Sequence, residues 1–204
     1  MIKTIHLFNN FGREVESVEA TPRDKILDKI SSTYNLDGQL TGQVCTNADD
    51  EIIWTSEITY KDGLKSDTSE YDNAHNLKAK VIYTYTDNLL TDETGYNGDG
   101  ALVWKIIYKY NDAGKIEVES LYNSDGTLDE RKTYTYTDFG KVDTITTLDD
   151  FSKKVIQQVF RYAPNGFLNE ITSYDGKNEI TSRIVLKYDV SGNVNRISEY
   201  NIAY

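Results

Sequence analysis

Apolar and polar residues alternate with a period of two along most of this 204-residue chain, which is the pattern of β-strands. In residues 104–110, Tyr108 and Tyr110 fall on one side of the predicted strand and Lys109 on the other. These runs are rich in β-branched and aromatic residues, and turn-forming residues separate them every 8–12 positions. The pattern therefore predicts an all-β fold.

The strand pattern itself repeats with a period of 26 residues, of which only two steps are shortened to 25. A fixed period of this length indicates a repeat architecture, here with about eight copies. The aromatic anchors that mark the copies are Phe8, Tyr34, Tyr60, Tyr85, Tyr110, Tyr136, Tyr162 and Tyr188. A second series in the regular copies keeps the same interval and consists of Tyr122, Leu148, Tyr174 and Tyr200.

Each copy contains two turns. The first turn ends on glycine in the four regular copies, at Gly114, Gly140, Gly166 and Gly192, and glycine adopts positive φ without a side-chain clash. The second turn has turn-forming residues, as in Asn97–Gly100, Asn123–Gly126 and Asp175–Gly176. Because these connections are too short for a parallel crossover, each copy is predicted to be a β-hairpin in an antiparallel meander that forms a long, coiled or curved sheet.

The alternation also predicts which side chains share a face. Tyr110, Tyr136, Tyr162 and Tyr188 should form one row, with Lys109, Arg161 and Lys187 on the other face. On the second strands, Ile116, Val142, Leu168 and Val194 are in phase with the second anchor series. The predicted strands of the regular copies are 104–110, 115–122, 129–137, 141–148, 156–163, 167–174, 181–188 and 193–200.

The first copies follow the pattern less closely. Residues 21–30 could form one helical turn, but we favour a loop that runs into a strand because Ile30, Ser32 and Tyr34 alternate. No linker or charge block divides the chain, so we expect one domain over residues 1–204, with worn repeats in 1–75 and regular repeats in 76–204.

Composition narrows the classes of partner. The net charge of −11 disfavours binding to nucleic acid or to an anionic membrane. Hydrophobic residues make up 38% of the chain and include 16 tyrosines, which suits a thin sheet better than a large aliphatic interior. Cys45 is the only cysteine, and the N-terminus lacks an apolar signal region, so we expect a cytoplasmic protein; an extracellular location would require another delivery route or a trimmed N-terminus.

Candidate catalytic groups are few and scattered. His6 and His75 lie in unrelated copies, and Cys45 has no neighbouring histidine, so we expect no enzyme activity. The turns at 97–100 and 123–126 offer oxygens for Ca²⁺, but no distal glutamate completes a calcium loop. We therefore expect neither a metal nor any other cofactor.

The turn motifs resemble the YD repeats of RHS-type proteins. The resemblance rests on Tyr110–Gly114, Tyr188–Gly192 and Tyr174–Gly176, where an aromatic residue precedes Asp or Asn and then glycine. It extends over nearly the whole chain through turn glycines, aspartates and tyrosines. It implies an array of β-hairpins of the kind that builds shells or scaffolds in that family.

The aromatic residues suggest two classes of function. Tyrosines that recur in every copy are expected to pack on each other as cross-strand ladders, which favours a non-enzymatic structural or protein-binding module. A carbohydrate-binding protein that uses an exposed aromatic stripe is the alternative. Partner contacts are expected from aromatics that break the repeat, namely Trp54, Trp104, Phe139 and Phe151. Each of these residues is either an anchor for a partner or a local packing residue, and the sequence leaves both alternatives open. The sheet edges at residues 1–8 and 194–201 are expected to pair with a partner or a second copy.

Overall fold

The computed structural model describes residues 2–202, and these contain 16 β-strands and no helix. The strands are β1 (Lys3–Phe8), β2 (Glu14–Ala20), β3 (Ile26–Tyr34), β4 (Leu40–Asn47), β5 (Ile52–Lys61), β6 (Leu64–Asp72), β7 (Leu77–Thr86), β8 (Leu89–Asn97), β9 (Leu102–Tyr110), β10 (Ile116–Asn123), β11 (Leu128–Tyr136), β12 (Val142–Asp149), β13 (Lys154–Tyr162), β14 (Leu168–Asp175), β15 (Ile180–Tyr188) and β16 (Val194–Asn201).

Strands that are neighbours in sequence are neighbours in one open, antiparallel sheet, in the order β1 to β16. This confirms the predicted all-β meander of hairpins. The eight strands predicted for the regular copies all occur, with ends within two residues of the expected positions. The loop predicted for residues 21–30 is also confirmed, because a turn at Thr21–Lys25 leads directly into β3.

The chain divides into two compact units, Met1–Lys105 and Ile106–Tyr204. Within the described part of each unit, a strand packs against the strand before it and the strand after it. Such nearest-neighbour packing is the property expected of a repeat architecture. The single domain predicted for residues 1–204 stays a prediction.

The turns have the chemistry that their residues predict. Gly114, Gly140, Gly166 and Gly192 have φ values of 70°, 74°, 85° and 83°, so the glycine requirement is confirmed. At the start of such a turn an Asn or Asp side chain accepts backbone hydrogen bonds. Asn111 Oδ1, for example, accepts from the amides of Ala113 and Lys115 at 3.0 and 3.1 Å.

Two hairpins have shorter turns, which explains the two shortened steps of the repeat. The loop between β5 and β6 consists of Asp62 and Gly63 alone, with φ values of 52° and 79°. The loop between β7 and β8 consists of Asp87 and Asn88, with φ values of 51° and 63°. Positive φ at both central residues defines the type I′ turn that joins twisted antiparallel strands.

A β-bulge follows the first turn of each hairpin whose register is resolved, and it overturns one prediction about faces. In the β13–β14 hairpin, Tyr162 pairs with Leu168 but Arg161 pairs with Glu170, so one extra residue is inserted in β14. Further along the strand Tyr174 pairs with Gln157. Leu168 therefore shares the face of Tyr162, whereas Tyr174 lies on the face of Arg161.

The prediction that the second-strand series are in phase was therefore wrong. The bulge separates Val142 from Leu148 and Leu168 from Tyr174, and it has the same place in the β15–β16 hairpin. An inserted residue reverses the side-chain alternation beyond it, so the two series point to opposite faces.

The predicted tyrosine row is confirmed for the three members whose registers are resolved in the second unit. One face carries Tyr136, Tyr162 and Tyr188, and the other carries Arg161 and Lys187. On β9, Tyr110 is half-buried and Lys109 is exposed, in agreement with the same alternation.

Burial is limited to small side chains. The buried residues include Ala20, Cys45, Ser69, Ser120 and Thr172, and no large side chain in residues 2–202 is fully buried. Ser69, Ser120 and Thr172 occupy the same register in three different second strands. The sheet is therefore covered mainly by half-buried tyrosines and long side chains.

Candidate interaction surface

The connections within hairpins lie at one end of the sheet in each unit, which we call the first-turn end. There five of the anchor tyrosines link successive hairpins, because their hydroxyls donate to the backbone carbonyl of the residue 20 positions earlier. The pairs are Tyr34 to Glu14 at 2.6 Å, Tyr60 to Leu40 at 2.9 Å, Tyr136 to Ile116 at 2.6 Å, Tyr162 to Val142 at 2.8 Å and Tyr188 to Leu168 at 2.7 Å. Each acceptor is the first residue of the preceding hairpin's second strand.

The residue after the turn glycine covers the tyrosine ring of the next hairpin. Lys115 Nζ lies 5.1 Å from the ring centroid of Tyr136, and Lys141 Nζ lies 5.0 Å from that of Tyr162. Both ammonium groups also donate to the carbonyl of the next turn glycine. The contacts combine a cation–π attraction with a hydrogen bond to the backbone.

The last interface uses an aromatic ring in place of the lysine. Phe167 stacks on Tyr188 with centroids 4.8 Å apart and an interplanar angle of 22°. For Tyr136, Tyr162 and Tyr188, the expectation that the tyrosines pack on each other was therefore wrong. Row members are two strands apart, about 10 Å, and the residue after the turn glycine fills the gap.

Burial and nearby carboxylates raise the pKa of several tyrosine hydroxyls in this part of the sheet. Burial raises the pKa of the Tyr136 and Tyr162 hydroxyls, and Asp143 adds to the effect at Tyr162. Burial, together with the nearby Glu119 carboxylate, raises the pKa of Tyr134 to about 12. The Tyr134 hydroxyl donates to Glu119 Oε2 at 3.2 Å. These phenols stay neutral and act as hydrogen-bond donors.

The tips of the first turns carry exposed apolar side chains. The most exposed are Phe11 (82%) and Leu36 (105%) in the first unit, and Phe139 (94%) and Val190 (107%) in the second. Phe139 borders an open groove of about 960 Å³ that Lys141, Tyr162 and Pro164 also line. Exposed apolar groups beside a groove are typical of sites that bind other macromolecules.

The four predicted binding residues lie at separate positions within the unit to which each belongs. Trp54 is half-buried and pairs across the sheet with Cys45, and Trp104 is half-buried with its ring packed over Gly95. Phe139 lies at the first-turn end of the second unit. Phe151 is equally exposed, at 94%, but lies in the turn between β12 and β13 at the opposite end of that unit.

Sequence reasoning missed the contacts between the basic residue after a turn glycine and the anchor tyrosine of the next hairpin. Their signal was present as a basic residue directly after the turn glycine at Arg13, Lys115 and Lys141. The guanidinium of Arg13 lies 5.9 Å from the ring centroid of Tyr34, so the contact recurs in the first unit. The signal was not recognised because these side chains meet residues about 20 positions further along the chain.

The residues considered for catalysis or metal binding lie apart. His6 Nδ1 lies 3.0 Å from Glu14 Oε2, whereas His75 stacks on Tyr71 with a centroid separation of 4.6 Å. Cys45 is buried, and burial raises the pKa of its thiol. Residues 2–202 contain no group of three or more His, Cys, Asp or Glu that could hold a metal ion. In the same range, no helix has the length and apolar character needed to cross a membrane.

Side-chain oxygens in the turns considered for calcium are engaged by the chain itself. Asn97 Oδ1 accepts from the amides of Asp99 and Ala101 at 3.1 and 2.9 Å. Asp125 Oδ1 accepts from the amide and the hydroxyl of Thr127 at 2.9 and 2.6 Å, and these bonds lower the pKa of its carboxyl group. These bonds are the ones that stabilise a turn.

No protein-family model matches the chain, and no curated protein sequence matches it. Among solved structures, TcdB2-TccC3 without its hypervariable C-terminal region is similar, with a TM-score of 0.53 and 16% identity over 96% of this chain. The chain spans only 10% of that protein. Porin-like proteins from Bacteroides uniformis and Bacteroides vulgatus give TM-scores of 0.46 and 0.44 at 15% and 10% identity. These matches cover 98% and 92% of this chain, and 93% and 97% of those proteins.

At this level of identity, the similarity to TcdB2-TccC3 shows the fold alone. It is consistent with the RHS-like β-repeat fold that the turn motifs implied.

Proposed function

We propose that this chain is a non-enzymatic structural or protein-binding module whose first-turn end docks a protein partner. The observation that carries the proposal is the exposure of Phe139 beside the groove formed with Lys141, Tyr162 and Pro164. Burying a phenylalanine side chain contributes about 1.5–3 kcal/mol to association, before ordering costs. The proposal includes a cytoplasmic location and no requirement for metal or cofactor.

Protein is favoured over carbohydrate as the ligand by the state of the aromatic residues. A sugar ring would stack on an exposed aromatic face, whereas the rings of Tyr136, Tyr162 and Tyr188 are covered by the preceding hairpin. Their hydroxyls already donate to backbone carbonyls. Nucleic acid and anionic lipid are disfavoured by the net charge of −11.

The second unit offers a matched pair of variants for the test. Phe139→Ser and Phe151→Ser each remove one phenylalanine that is 94% exposed, but at opposite ends of the sheet. Neither substitution should change the free energy of unfolding by more than about 0.5 kcal/mol. The wild-type chain and both variants would each be immobilised and incubated with a native extract, and bound proteins would be cross-linked. Mass spectrometry would then compare the amount of each bound protein among the three.

We expect at least one partner to be lost with Phe139→Ser and retained with Phe151→Ser. Equal recovery with all three proteins would contradict the proposed surface. Binding to a glycan array that depends on the tyrosine row would instead support the carbohydrate-binding alternative.

A further inference from the structure

Three interfaces between successive hairpins contain an ion pair at the same register, whereas the position of its acidic member is occupied by Gly42 in β4 and by Thr144 in β12. In each hairpin, one residue of the second strand pairs with the anchor tyrosine of the first strand. The acidic member lies two residues after that residue, and we call this position the acid position. The basic member lies on the first strand of the next hairpin, five residues before its anchor tyrosine. The observed pairs are Asp67–Lys80 at 3.4 Å, Asp92–Lys105 at 2.6 Å and Glu170–Arg183 at 2.5 Å.

On β16, the edge strand, the acid position holds a base. Val194 pairs with Tyr188, which places Arg196 where β14 has Glu170. Arg196 also lies directly opposite Lys187, whereas the corresponding pair in the preceding hairpin is Arg161 opposite Glu170. Like charges directly opposite each other destabilise a strand pair. Neither Lys187 nor Arg196 forms an ion pair with any other residue in 2–202.

Apart from this charge, β16 has the features of an interior strand that lacks its neighbour. Val194, Ile197 and Tyr200 are 46%, 60% and 56% exposed, although their counterparts on β14 are half-buried. The Val194 carbonyl corresponds to the Leu168 carbonyl that accepts from Tyr188. Within the described residues no hydroxyl donates to it. The edge therefore presents unpaired backbone, uncovered apolar side chains and two uncompensated positive charges.

We propose that β16 binds an extended acidic strand of a partner protein, in the place that the first strand of a further hairpin would take. An Asp or Glu of that strand would lie beside Arg196, in the geometry of the Glu170–Arg183 pair with the charges exchanged. A tyrosine five residues later would reach the Val194 carbonyl. Backbone pairing at an open edge supplies the binding energy, and the charge and tyrosine supply the specificity.

A second copy of this chain is a poor occupant of the same edge. Its β1 would place Lys3, which lies five residues before Phe8, beside Arg196 and Lys187. Phe8 takes the place of the anchor tyrosine and has no hydroxyl to donate to Val194. We therefore expect residues 194–201 to pair with a different, acidic strand and not with residues 1–8 of a second copy. The proposed contact is with the exposed edge of β16, whereas the proposed function rests on the exposed turn residue Phe139.

A peptide with a sequence taken from this chain can serve as the probe for this edge. A peptide of residues 180–193, ITSRIVLKYDVSGN, contains a first strand and its turn. We would compare this peptide with two variants, one with Arg183→Glu and one with both Arg183→Glu and Tyr188→Phe. Each would be titrated into the full-length ¹⁵N-labelled chain at low salt, so that amide shifts report both the site and the dissociation constant.

We expect the Arg183→Glu peptide to shift β16 amides and to bind about fivefold or more tightly than the unaltered peptide, because an attractive ion pair replaces a repulsive one. Removing the tyrosine hydroxyl should weaken that binding. In the Arg196→Glu protein the preference should reverse in favour of the unaltered peptide, and the spectrum without peptide verifies the fold. Equal affinities for both charges, no reversal, or shifts confined to residues outside β16 would overturn the proposal.

Discussion

Removing the hydroxyl of one anchor tyrosine should measure how strongly successive hairpins are held together. In Tyr162→Phe the ring still fills its site under Lys141, and only the 2.8 Å hydrogen bond to the Val142 carbonyl is lost. A hydrogen bond contributes about 0.5–1.5 kcal/mol net, and an acceptor left without a partner adds to the loss. We therefore expect the free energy of unfolding to fall by about 1–2 kcal/mol.

Urea unfolding followed by circular dichroism would measure this difference as a lower midpoint at unchanged slope. For a chain of this length the loss corresponds to roughly 2–8 °C in melting temperature. Combining the substitution with Tyr136→Phe and Tyr188→Phe should give nearly additive losses, because the row members are two strands apart.

Tyr200→Phe is the matched control, since Tyr200 is 56% exposed and lies on the edge strand. Removal of the Tyr200 hydroxyl should change the free energy of unfolding by less than about 0.5 kcal/mol. If Tyr162→Phe is as stable as Tyr200→Phe, the tyrosine hydroxyls do not hold the hairpins together.

Three further predictions concern turns, pH and the thiol. Gly140→Ala and Gly126→Ala should each cost about 1–2 kcal/mol because both residues have positive φ. Gly140→Ala should cost more, because its methyl group would displace the Lys115 ammonium from the Gly140 carbonyl and the Tyr136 ring, whereas the methyl group of Gly126→Ala meets open space. Equal losses in urea unfolding would refute this. Arg183 holds the pKa of Glu170 below its usual value of 4.5, so this carboxylate stabilises the fold above that pH and the contribution disappears as pH falls further. Glu170→Gln should therefore flatten the stability curve between about pH 5 and pH 3, and an unchanged slope would contradict it. The buried Cys45 thiol, whose pKa burial raises, should react with a thiol reagent on the order of tenfold or more slowly in the folded chain than in urea; equal rates would show that the site is open.

Local physical chemistry allowed the strands and turns to be predicted from the sequence. Side chains alternate in an extended strand, and a left-handed turn residue favours glycine, so short segments contain enough information to place β9 to β16 within two residues. The same reasoning identified Phe139 and Phe151 as aromatics that interrupt the pattern, and both are exposed. Exposure of a turn residue follows from the turn itself.

Only the tertiary structure decided how the copies meet. The bulge that moves Tyr174 to the face opposite Leu168 depends on pairing between strands, and alternation within one strand does not reveal it. The sequence left open whether Trp104 is a partner anchor or a local packing residue, and the structure places its ring over Gly95, where the neighbouring strand has no side chain. The sequence alone does not reveal that Arg196 replaces an acidic residue, because only the strand register aligns it with Glu170. These features depend on contacts between residues that are distant in sequence, which the repeat period brings together.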